Sequence, residues 1–90
     1  MTRNKLSIAE MNMRFGKQTL YLYNEYENAA VRITPSVNGI VSVYVKVGSN
    51  PEFKAQHGNT VVVDAIMDRV SITPDDYMNF GQTADKASDS

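Results

Sequence analysis

From Val41 to Val47 every second residue is a valine, with Ser42, Tyr44 and Lys46 between them. Alternate side chains of an extended chain point to opposite faces, so this run specifies a strand with one apolar and one polar side. Asn38 and Gly39 stand just ahead of it, and both tolerate the positive φ of a tight hairpin. A strand over Ile40 to Val47, folding back through that turn onto the preceding segment, is the expectation. Gly48-Ser49-Asn50-Pro51 ends it.

The preceding segments carry the same period. Ala29 to Thr34 sets Val31 and Ile33 against Ala30, Arg32 and Thr34, and Pro35 stops it because proline cannot donate to a ladder. Gln18 to Tyr26 reads as an earlier strand, with Leu20 and Leu22 on one side and Tyr21 and Tyr23 on the other. Tyr26 has the parity of the leucines and falls off the tyrosine side.

Helical signals flank these strands. Ser7 and Glu10 form a capping box, Ile8, Met11 and Phe15 follow at helical spacing, and Gly16 suits a left-handed close. A helix over Ile8 to Phe15 is too short to persist alone and must lie on the sheet. Asn50 and Pro51 have the form of a cap and first position of a short helical turn running through Phe53 and Ala55 toward Gly58. Thr60 to Ile72 supports two readings: three consecutive valines favour a strand, which is the expectation at least through Val63, whereas Val62, Val63, Ile66, Met67 and Val70 compose a helical face. Thr73-Pro74-Asp75-Asp76 opens a last helix anchored by Tyr77, Met78 and Phe80, with Gly81 to end it.

These elements predict an α+β fold: a small antiparallel sheet of three to four strands with short helices packed on one face. Residues 1–80 form the expected globular domain, and residues 81–90, nearly devoid of apolar side chains, an acidic flexible tail. Ninety residues bury only a thin core, and no cysteine is present to staple it. Packing alone, or packing with a second subunit, must hold the chain, so a homo-oligomer is one expectation. The basic start of the chain has no apolar run behind it and no segment is long enough to cross a bilayer, which predicts a soluble, cytoplasmic protein without a membrane partner.

The chemistry-bearing residues are sparse. His57 is the sole histidine and sits in turn-forming Gln-His-Gly-Asn; with no cysteine beside it, a zinc site lacks ligands. Asp64, Asp68, Asp75 and Asp76 match no calcium loop, and the last two serve a helix start. The glycines are too scattered to cradle phosphate. No enzyme, metal or cofactor is therefore expected. Met11, Met67 and Met78 read as core fillers. Met13, off the helical stripe, reads as a contact residue.

A formal net charge of −1 argues against a purely electrostatic nucleic-acid binder. Arg3, Lys5, Arg14 and Lys17 make the front of the chain basic and six aspartates from Asp64 onward make its end acidic, though no block is dense. What stands out is the polar side of the strands, where Tyr21, Tyr23, Arg32, Tyr44 and Lys46 collect with Thr19, Thr34 and Ser42. Tyrosine and arginine are enriched where proteins grip partners, because each couples large contact area to directional hydrogen bonds. The expectation is a small non-enzymatic protein that docks a macromolecule, foremost another protein, through Tyr21, Tyr23, Arg32, Tyr44 and Lys46. Inhibitors and adaptors of phages and mobile elements are often compact proteins of this kind. Two alternatives use the same face: a single-stranded nucleic-acid binder that stacks bases on the tyrosines and holds phosphates with Arg14, Lys17, Arg32 and Lys46, and a self-assembling structural subunit. Cross-strand pairing of the aromatics, or coverage by the C-terminal half of the chain, would need no partner at all.

Overall fold

Six antiparallel strands in the order β1-β6-β2-β3-β4-β5 form one open sheet in the computed structural model, which describes residues 1–81. Along the chain the elements are β1 (Asn4–Lys5), α1 (Ile8–Arg14), β2 (Leu20–Asn24), β3 (Ala29–Ile33), β4 (Val43–Val47), β5 (Phe53–Ala55), α2 (Thr60–Asp68), β6 (Val70–Ser71) and α3 (Pro74–Met78). The acidic tail expected from residue 81 lies, beyond Gly81, outside the described residues. Among the described residues no helix is long and apolar enough to cross a membrane.

The centre of the sheet follows the period-two pattern. Leu22 faces Val31, which faces Val45, while Leu20, Ile33 and Val43 form the neighbouring row. Asn38 and Gly39 take φ of 55° and 78° and close a tight hairpin in which Val37 and Ile40 exchange backbone hydrogen bonds of 2.8 and 3.1 Å. Regular pairing nonetheless starts at Val43, later than Ile40, because the Ser42 N–H turns to the Thr34 hydroxyl at 3.1 Å. A side chain that accepts from the backbone competes with the ladder and ends it there.

The sheet has six strands, not the three to four expected, and the additions have separate causes. β1 and β6 are two residues each, too short to carry any period. β5 occupies the stretch read as a helical turn after Asn50-Pro51; pairing of Phe53 with Val45 and Ala55 with Val43 outweighs the local helix-start signal.

Thr60–Asp68 is a helix, contrary to the strand expected through Val63. Asn59 caps it by accepting the Val61 N–H at 2.9 Å, and Val62 and Ala65 are buried against the sheet. Tertiary burial of one helical face thus overrides the β preference of three consecutive valines. Arg69, at φ 56°, breaks the helix and turns the chain into β6, which inserts between β1 and β2.

Helices lie on both faces of the sheet, where one face was expected. Met11 of α1 and Val62 and Ala65 of α2 join Leu20, Leu22, Val31, Ile33, Val43 and Val45 in the main core. On the opposite face Ile72, between β6 and α3, and Tyr77, within α3, form a second core with Tyr23 and Ala30. Of the methionines read as core fillers only Met11 is buried; Met67 and Met78 are exposed, as is Met13. Buried Asn24 ties β2 to α2, donating to the Val61 carbonyl and accepting the Glu27 N–H, each at 3.1 Å.

Candidate functional site

Strand register lays the polar side chains out in rows. Tyr21 of β2 faces Arg32 of β3, Arg32 faces Tyr44 of β4, and Tyr44 faces Lys54 of β5. One row across four strands therefore alternates aromatic and cationic side chains. The next row holds Tyr23, Ala30 and Lys46. Ala30 is fully buried there, and its small side chain leaves room for Tyr77 of α3 to descend onto the sheet.

Tyr77 is held from several sides. Its ring lies tilted against Tyr21 with centroids 5.3 Å apart, and the Lys46 ammonium sits 4.6 Å from its ring centroid. Lys46 also donates to the carbonyls of Tyr77 at 2.7 Å and Met78 at 3.2 Å, capping the end of α3. The Tyr77 hydroxyl donates to the Glu52 carboxylate. That carboxylate receives two hydrogen bonds from Arg32, from Nε at 3.2 Å and from a terminal nitrogen at 3.1 Å. The guanidinium so fixed lies 4.1 Å above the Tyr44 ring.

The electrostatics follow this geometry. Arg32 hydrogen bonding holds Glu52 below the usual carboxylate range, and the Tyr77 hydroxyl adds to the effect. Burial, reinforced by the adjoining Glu52 carboxylate, pushes the Tyr77 phenol well above its ordinary value. Glu52 in turn raises Arg32. The network is a positioned set of charges with all its members engaged, and it contains no poised nucleophile or base.

The five residues read as a binding set share one face but not one environment. Tyr21, Arg32 and Tyr44 are half-buried and keep solvent contact. Tyr23 is a correction: expected on the outer surface, it is buried, with Phe80 6.0 Å and the Arg3 guanidinium 5.0 Å from its ring and its hydroxyl donating to Asn28. Lys46 has its ammonium committed to α3. Lys54 completes the open row and was missed, because its segment read as a helical turn; no local signal marks it as a strand residue. Thr34 and Ser42 lie along the same open side, whereas Tyr26 protrudes from the β2–β3 turn, 87% exposed.

Elsewhere the titratable residues do not converge. His57 Nε2 lies 2.7 Å from the Val41 carbonyl, tying the loop after β5 to the sheet. Asp64 and Asp68 belong to α2 on one face, while Asp75 and Asp76 begin α3 on the other. Among the described residues no three histidine, aspartate or glutamate side chains gather as metal ligands. Comparison with protein-family models, with curated proteins and with solved structures gives no match, so the functional reading rests on the geometry of this face.

Proposed function

We propose that this chain is a small, soluble, non-enzymatic binding protein that docks a protein partner through the open row Tyr21, Arg32, Tyr44 and Lys54, acting by occlusion. The observation that carries this reading is the row itself: two tyrosines alternate with two cations across four paired strands, beside a helix that covers the adjoining row and packs Tyr77 against Tyr21 at one end of this one. A rigid sheet presents these side chains at little further entropic cost, because Arg32 is already held by Glu52 and stacked on Tyr44. The same network weighs against a nucleic-acid role for the face. Arg32 is neutralised by Glu52 and Lys46 is spent on backbone carbonyls, so Lys54 alone of the three offers an uncommitted charge among the contacts described.

The test compares the full chain with a Tyr44→Ala, Lys54→Glu variant as bait in lysate, with circular dichroism verifying that both are folded. The wild type is expected to retain a stoichiometric protein that the variant loses, a central tyrosine being worth about 2 kcal/mol or more at such a contact. Equal retention by both would remove the face from consideration. Quenching of tyrosine fluorescence by a single-stranded oligonucleotide at low salt would favour nucleic acid instead.

A further inference from the structure

The other side of the sheet carries an apolar surface unrelated to the tyrosine row. Val37 and Ile40, which flank the Asn38-Gly39 turn, are 71% and 64% exposed. Hairpin tips are ordinarily polar, so two exposed branched side chains at one tip are unusual. Beside them a groove of about 340 Å³ is lined by Phe15, Ile40, Val41, Val43, Val62 and Ile66, with His57 at its wall. The Ser36 N–H donates to the Gly16 carbonyl at 2.9 Å, which fastens the hairpin to the end of α1 and makes tip and groove one surface.

We propose that this hairpin and groove form the contact between two copies of the chain related by a two-fold axis. Two features point to a second copy over a partner of different chemistry. A two-fold contact brings side chains near its axis against their own copies, so charge of a single sign there is repulsive. No charged residue occurs from Ile33 to Val45, Phe15, Val62 and Ile66 are apolar, and the one remaining groove residue, His57, turns its Nε2 to the Val41 carbonyl, so the lining holds no carboxylate, lysine or arginine, meets that condition and offers a charged partner no fixed charge to pair with. The surface also holds both a projection and a recess. Each copy's Val37 and Ile40 can enter the other's groove, which is the self-complementarity an isologous interface needs.

Sedimentation velocity on the full chain, from about 1 to about 200 µM, tests the proposal. The expected result is a concentration-dependent shift from the 10.0 kDa monomer to a dimer. Ile40→Lys and, separately, Val37→Glu are expected to weaken the dimer at least tenfold while leaving the circular dichroism spectrum unchanged, because both side chains lie outside the core. A wild type that stays monomeric throughout, as it would if the surface served a different protein, overturns the proposal. A dimer that persists undiminished in both variants does so as well.

Discussion

The Tyr77 hydroxyl donates to the same Glu52 carboxylate that receives Arg32, so the last helix is tied across the sheet to its edge. Tyr77→Phe removes this bond and keeps the ring against Tyr21 and beneath Lys46. A loss of about 1 to 2 kcal/mol in urea unfolding is expected. Tyr77→Ala also empties the second core, and a loss of about 3 to 5 kcal/mol is expected from the same measurement. Equal midpoints for Tyr77→Phe and wild type would show that the hydroxyl contributes nothing.

Ala30 is small because Tyr77 occupies the space above it. Ala30→Leu should force α3 off the sheet or strain the strands beneath, costing about 1 to 3 kcal/mol. A near-ultraviolet circular dichroism spectrum reports the tyrosine environments directly, and it is expected to change in this variant.

Stability is expected to fall at both ends of the pH scale, for opposite reasons. Glu52 is held low by Arg32, and Asp76 is held low by the Thr2 N–H. Their contribution is complete above the unfolded carboxylate values and is lost as pH drops through the depressed folded values. Tyr77 is shifted upward by burial, so its contribution is complete below the ordinary phenol value and is lost as pH climbs through the raised folded one. Urea midpoints against pH should show both limbs, with Glu52→Gln flattening the acid one. Tyr77→Phe should remove a step in tyrosinate absorbance above the ordinary phenol range.

Asn24 is the fully buried polar side chain that joins β2 to α2. Asn24→Leu preserves volume but strips the Glu27 N–H of its partner and the Val61 carbonyl of its donor from outside the helix, and leaving the N–H unpaired costs about 1 to 3 kcal/mol. Chemical denaturation is expected to register this loss, with hydrogen exchange of the Glu27 amide accelerated.

Elements whose signals are local were legible in the residues themselves. The capping box at Ser7, the helix start at Thr73-Pro74, the Asn38-Gly39 turn and the alternation through β2, β3 and β4 are each written within a few neighbours. Alternation also assigned Tyr21, Arg32 and Tyr44 to a common side. Elements defined by distant partners were not legible. β1 and β6 exist because Asn4 pairs with Ser71 and Lys5 with Val70, across most of the chain. Lys54 joined the open row only once β5 paired with β4, and no spacing within Asn50 to Gly58 announces that.

By itself, the order of residues determined which side chains share a face, since the pleat alternates them regardless of what lies above. The tertiary structure decided which of those faces stay open. Tyr23 and Lys46 have the parity of Tyr21 and Tyr44, yet α3 is centred on their row and touches the neighbouring one at Tyr21, because Ala30 leaves a recess there for Tyr77 and Ile72 supplies a second anchor. Likewise Val61 to Val63 turn helical because burial of Val62 and Ala65 on the sheet outweighs an intrinsic β preference of well under about 1 kcal/mol per residue. Coverage depends on the sum of contacts between segments far apart in the chain, a quantity that no local pattern contains.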